Sequence, residues 1–318
     1  MNPHKYSQIP EEYIFPLNLS GLNGRYLRIP HTRKKREILL VYGHHSSLER
    51  YYGLAEDLSQ YGTLTMPDLP GFGGMDSLYS IGVEASIDEL ADYLAAVVKL
   101  MYKNRQFTLA GFSIGSAIAT RMLQKYPEIA ARVDLCISVA GFSHHADFKI
   151  PRFNRLFFKH GSHFFTPKWR AMFFRYVILN GVILKSFYRF TPNAKHKFKD
   201  ITKDEFKRLI NFEVELWQCN DVQTYMRTAE AMFSLDLTNE KVNLPIHNIS
   251  LGKADQYFDA KSVAKHMRKI FTSYSVDKAF MKNHMPSVIA DKSETIGLIP
   301  TNSRKLLSRS PKKIVSTV

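Results

Sequence analysis

Between Phe107 and Tyr126 the chain passes from a strand-like run, Phe107-Thr-Leu-Ala110, to a helix-forming stretch, Ser116 to Tyr126. Only Gly111-Phe-Ser-Ile-Gly115 lies between them. A connection this short leaves little room for side chains at its flanks, so glycine suits positions 111 and 115. The serine between them is held out on a sharp turn, with the N-terminal end of a helix directed at it. Ser116, Ala117 and Ala119 are small enough to let that helix approach a sheet closely, and Pro127 stops it. A G-x-S-x-G alone recurs by chance, but one set between a buried strand and a helix restricts the fold to a narrow class.

The same alternation runs along the chain. Ile38 to Tyr42 is a continuous apolar run ending at Gly43, as in a strand buried on both faces. A helical pattern covers Leu48 to Tyr61, followed by a short strand, Thr63 to Met66, and the turn-rich Asp68-Leu-Pro-Gly-Phe-Gly-Gly74. Ser86-Ile-Asp-Glu89 has the form of a capping box and opens a helix to about Tyr102. Val133 to Ala140 is a further buried strand. Strands and helices joined by short links predict an α/β fold with a doubly wound, mostly parallel sheet. The alternation lapses at Gly141. Ser143 to Leu235 reads as mostly helical, and the pattern resumes with a strand at Pro245 to Leu251, a helix from Ala260 to Ile270, a weaker strand at Ser273 to Val276 and a terminal helix from Pro286. The expected organisation is a core in two parts, 1–142 and 236–298, a helical insertion over 143–235 and a basic, disordered tail over 299–318.

Composition narrows the function. The hydrophobic fraction of 45% is enough for a sizeable core. The two cysteines, Cys136 and Cys219, do not make a disulfide framework, which points to a reducing, cytoplasmic setting. Met1 to Pro16 has no apolar run of the kind a signal peptide carries, and no window of 18 uncharged apolar residues suits a membrane-spanning helix. The net charge of +15 is local. Residues 148–199 hold twelve Lys and Arg and no acid, and residues 295–318 hold five and no acid. That leaves 27 of the 44 basic residues to balance all 29 acidic ones, so the core is close to neutral.

The stretch from Ile38 to Gly141, with Pro245 to Pro286, resembles the α/β-hydrolase superfamily. The matching features are Val41-Tyr-Gly-His44, Asp68-Leu-Pro-Gly-Phe-Gly73, the serine elbow, and Tyr126-Pro-Glu128 behind the helix. The resemblance implies a serine, acid and histidine triad in that chain order, with a lid inserted after the strand that follows the nucleophile helix. Ser113 is then the nucleophile. His284, in Asn283-His-Met-Pro286 after the last strand, matches the base. Asp255, in Gly252-Lys-Ala-Asp255, matches the acid; Asp259 is the runner-up and Asp147 the third candidate. A histidine must take the serine proton, and a carboxylate must hold its tautomer. The oxyanion hole would pair the backbone N–H of Ile114 with that of His44. Here the chain departs from the family: the residue before Gly43 is commonly histidine and is Tyr42. Backbone donation does not depend on that side chain.

The pairs His44-His45 and His144-His145 both follow sheet strands. They read as polar pocket lining rather than as metal ligands, since no supporting ligand spacing accompanies them. Residues 148–199 interleave fourteen aromatic residues with the twelve cations. This composition suits a lid covering a hydrophobic pocket, and also a surface docked on an anionic membrane with the protein peripherally attached. Nucleic acid is disfavoured as a partner because no recognition fold is visible. The expected activity is hydrolysis of a small-molecule carboxylic ester with a hydrophobic, lipid-like acyl group, through an acyl-serine and without a cofactor. Amide or peptide cleavage, C–C bond hydrolysis and acyl transfer use the same machinery. A non-catalytic member that binds a partner or membrane is the alternative of another class.

Overall fold

A computed structural model describes residues 9–33, 36–179, 183, 203–252, 255–279, 295 and 297–311. Eight strands form one sheet in the order β1-β2-β4-β3-β5-β6-β7-β8. They are β1 (Ile14–Leu19), β2 (Leu22–Ile29), β3 (Glu37–Val41), β4 (Thr63–Pro67), β5 (Phe107–Phe112), β6 (Val133–Val139), β7 (Val242–Ser250) and β8 (Phe271–Lys278). Strands β1 and β2 run antiparallel to each other and β2 to β4; every other pairing is parallel. The sheet is therefore mostly parallel, as expected from the alternation.

Every residue of β3 and of β5 is buried, which is why both read as unbroken apolar runs. The N-terminal hairpin lacks that signature. Its strands are only partly buried, and its turn uses Ser20 (φ 52°) and Gly21 (φ 83°), both left-handed, as a two-residue hairpin turn requires.

The helices that build the core are α1 (Tyr52–Ser59), α2 (Ile87–Tyr102), α3 (Ile114–Lys125) and the short α4 (Pro127–Ala130). The Ser86 hydroxyl accepts the Glu89 N–H at 3.1 Å and caps α2. Among the described residues between β6 and β7 are α5 (Arg152–Phe164), α6 (Lys168–Phe173, continuing through a π-helical turn, Phe174–Ile178), α7 (Lys203–Cys219) and α8 (Val222–Met232). Ala171, Leu179, Ile210, Val214, Val222 and Met226 give this insertion a small core of its own. Helix α9 (Ala260–Ile270) follows β7.

The tail expected to be disordered from residue 299 differs over part of its length. Thr301–Ser308 forms helix α10, with Ser303 and Leu307 buried. Arg304 makes a bidentate pair with Asp57 (2.7 and 3.1 Å) and also donates to the Tyr61 hydroxyl. Its buried face is Ser303 and Leu307 alone, easily hidden among Lys, Arg and Ser.

Candidate active site

Ser113 follows β5 directly and is the cap residue of α3, at φ 52° and ψ −119°. A non-glycine residue there is strained, and surrounding contacts must hold it in place. Its N–H donates to the Val139 carbonyl of the neighbouring strand at 3.0 Å, and its carbonyl accepts the Ser116 N–H at 3.0 Å. The two flanking glycines are sterically required. A Cβ on Gly111 would lie 2.6 Å from the Ser116 Cα, and one on Gly115 would lie 2.4 Å from the Val41 and Tyr42 carbonyl oxygens. Ile114 is the first residue of α3, so its N–H belongs to the turn that no intrahelical carbonyl satisfies.

The loop after β3 abuts this elbow: a Cβ on Gly43 would sit 3.5 Å from the Ser113 Cβ. Tyr42, which departs from the family pattern, is fully buried and has a task of its own. Its hydroxyl donates to Asp68 Oδ1 (3.0 Å) and accepts the Leu69 N–H (2.6 Å), tying the β3 loop to the glycine loop. Asp68 also accepts from Arg25 Nε at 2.8 Å, while the rest of the Arg25 guanidinium holds both oxygens of Glu49 (2.7 and 2.9 Å). One cation serves two carboxylates here. Burial, with Glu49 close by, pushes the Asp68 carboxyl up to about 7. Gly73 is at φ 62°, and a Cβ on it would collide with the Asp68 carboxylate at 2.0 Å.

The histidine pair after Gly43 faces the insertion. The His44 Nε2–H donates to Thr228 Oγ1 (2.9 Å) and reaches the Tyr225 carbonyl (3.3 Å), both on α8; the Thr228 hydroxyl proton goes to the Thr224 carbonyl (2.8 Å). Burial lowers the His44 imidazole to about 4, which keeps it neutral. His45 adopts φ 53°, and its ring lies 3.9 Å from that of Trp217 on α7. Asn220 Nδ2 donates to His45 Nδ1 at 3.1 Å, while Asn220 Oδ1 accepts the Gly73 N–H at 2.8 Å. Arg50 and Glu213 add a buried ion pair at 2.9 Å. None of these insertion residues stood out in the sequence. The one available signal was Glu213, a carboxylate inside an otherwise apolar helical stripe.

Asp255 follows the C-terminal end of β7 and is 5% exposed. Its Oδ1 accepts the N–H groups of Tyr257 (2.9 Å) and Phe258 (3.0 Å), fixing the carboxylate in a tight turn. The other two candidate acids are otherwise engaged. Asp259 caps α9 by accepting the Ser262 N–H at 2.8 Å. Asp147, fully buried, accepts His266 Nδ1 at 2.6 Å and the N–H groups of Ser143 and His144 at 3.0 Å. His144 stacks on His266, with ring centroids 4.3 Å apart. His284 lies outside the described residues.

The family model described as alpha/beta hydrolase fold matches residues 37–230, more than half the chain. No curated protein sequence matches the chain significantly. Among solved structures, the chain is similar to a membrane phospholipase A described as a bacterial virulence factor (16% identity, TM-score 0.64, covering 93% of this chain and 87% of that one). It is also similar to an epoxide hydrolase from Bacillus megaterium (14%, 0.63, 92% and 99%). A third is a thermophilic esterase from Thermogutta terrifontis (15%, 0.58, 93% and 99%). At these identities the likeness is one of fold.

Proposed function

The chain belongs to the α/β-hydrolase fold family, and from that premise we propose that it is a serine hydrolase acting on a carboxylic ester with a hydrophobic, lipid-like acyl group. The observation that carries this reading is Ser113 itself. It occupies a strained φ of 52° at the start of α3, on a strand-to-helix turn whose flanking Gly111 and Gly115 have no room for a Cβ.

In the proposed reaction Ser113 Oγ attacks the ester carbonyl carbon while His284 takes its proton. The tetrahedral oxyanion is bound by the N–H groups of Ile114 and His44. The C–O bond to the alcohol breaks, His284 gives the proton to the departing oxygen, and the acyl group stays on Ser113. Water, deprotonated by His284, then attacks the acyl carbon; the bond from that carbon to Ser113 Oγ breaks, His284 returns the proton to Oγ, and the carboxylic acid departs. Asp255 orients His284 and stabilises the imidazolium. No cofactor takes part. The position of Asp255 in a backbone-locked turn, while Asp147 and Asp259 are committed to His266 and to a helix cap, supports its choice as the acid. The aromatic insertion beside the β3 loop supports an apolar acyl group.

The test is turnover of p-nitrophenyl esters of increasing acyl length by wild type and by Ser113→Ala. Activity rising from acetate toward medium or long chains, and absent from the variant, is expected. No turnover of any ester by a folded wild type overturns the reading.

A further inference from the structure

Helix α5 is amphipathic the wrong way round for a helix covering a core. Phe153, Leu156 and Phe157 share one face at helical spacing and are 79%, 45% and 68% exposed, whereas Arg155 and Lys159 are half-buried. The next segment repeats this, with Trp169 (67%), Phe173 (54%) and Tyr176 (67%) outward and Arg170 and Arg175 half-buried. Ten of the sixteen strongly exposed large hydrophobic side chains among the described residues fall within 153–177. Scattered exposed apolar residues need no explanation, but a concentration of this kind marks an interaction surface.

Charge identifies the occupant. No Asp or Glu occurs between residues 148 and 199. Among the described residues, no carboxylate pairs with Lys149, Arg155, Lys159, Lys168, Arg170 or Arg175. Several of them donate instead to backbone carbonyls: Lys149 to Asp255 (2.6 Å), Arg155 to His145 (3.1 Å) and Arg170 to Phe164 (3.2 Å). These contacts leave the positive charge uncompensated. A second copy of the chain would bring the same basic segment against itself, which its charge opposes. An anionic bilayer matches both halves of the surface: aromatic and aliphatic side chains enter the interface while the cations beside them meet headgroups. Arg170 lies over the rings of Phe164 (4.2 Å) and Trp169 (4.8 Å), so cation and aromatic are presented together. Among the described residues no helix is long and apolar enough to cross a membrane, so attachment through this surface is peripheral.

We infer that the outward faces of α5 and α6 form a docking surface for anionic phospholipid membranes. This inference does not depend on Ser113 being reactive. It is tested by co-sedimenting the full chain with vesicles of phosphatidylcholine alone or mixed with phosphatidylserine. Wild type should pellet with the mixed vesicles at low salt and be released as salt rises, since screening shortens from about 30 Å at 0.01 M to about 8 Å at 0.15 M. Lys168→Ala should weaken binding about fivefold, the share of one cation near an anionic surface. The triple variant Phe153→Ser, Phe157→Ser, Trp169→Ser should stay in solution with an unchanged circular dichroism spectrum, because all three side chains are exposed. Failure of wild type to bind either vesicle, equal binding to both, or undiminished binding by the triple variant overturns the inference. So does a wild-type dimer that the triple variant dissolves, which would make a second copy the occupant.

Discussion

Glu213 of the inserted helix α7 pairs with Arg50 of the segment after β3 at 2.9 Å, and both side chains are 6% exposed. The insertion is thereby locked to the stretch of chain that leads away from Gly43 and Ser113. Breaking a buried pair leaves one charge desolvated without compensation. Glu213→Ala should therefore lower stability by about 3–5 kcal/mol in denaturant titration. The double variant Arg50→Met, Glu213→Leu should recover most of that loss, because it removes both charges. If the single variant unfolds like wild type, the pair does not hold the insertion.

The choice of acid separates chemistry from structure. Asp255→Asn should reduce ester kcat by about 10⁴-fold, the scale of losing a triad carboxylate, with little change in melting temperature. Asp147→Asn should do the reverse. It weakens the buried bonds to His266 and to the Ser143 and His144 N–H groups, at a cost of about 3 kcal/mol, and leaves kcat within a few-fold of wild type. Exchanged outcomes would move the acid to Asp147.

Backbone strain at the elbow gives a second kind of test. Ser113→Ala and Ser113→Gly both lack the nucleophile, yet only glycine relaxes at φ 52°. The glycine variant should be the more stable by about 1 kcal/mol, net of its greater entropy when unfolded. Equal melting temperatures would mean that position 113 stores no strain.

The buried His44 makes a prediction about pH. Its folded pKa, about 4, lies below the ordinary 6.5 because burial disfavours the charged ring. As pH falls from about 6.5 toward 4 the unfolded chain gains a proton that the folded one refuses, so stability falls with it. His44→Gln keeps a donor toward Thr228 and cannot titrate. The stability of wild type relative to this variant should thus decline below pH 6.5, at up to about 1.4 kcal/mol per pH unit. A constant difference between pH 7 and 4.5 would show that His44 titrates alike in both states.

Legibility in the sequence followed the range of the interactions. β3, β5 and the elbow were readable because burial on both faces leaves an unbroken apolar run, and a tight turn calls for glycine locally. The β1–β2 hairpin was missed because its strands are only partly buried and Pro16 interrupts the first. Helix α10 reads in sequence as a disordered tail, since its contacts, such as Arg304 with Asp57, join residues far apart in the chain. The same holds for the locks on the β3 loop: nothing near Arg50 or His45 announces Glu213, Asn220 or Trp217. Composition did flag the aromatic, basic insertion, but which way its apolar faces point is decided by packing. Tyr42, an irregularity in sequence, acquired its reason only when its hydroxyl was seen between Asp68 and Leu69.

The central claim is that Ser113 is an activated nucleophile. Intact-mass analysis after treatment with a fluorophosphonate tests it most directly. One phosphonyl adduct per chain, located by peptide mapping on Ser113 and absent from Ser113→Ala, is the predicted result. A folded wild-type protein that remains unmodified, or an adduct at another residue that persists in Ser113→Ala, would contradict it.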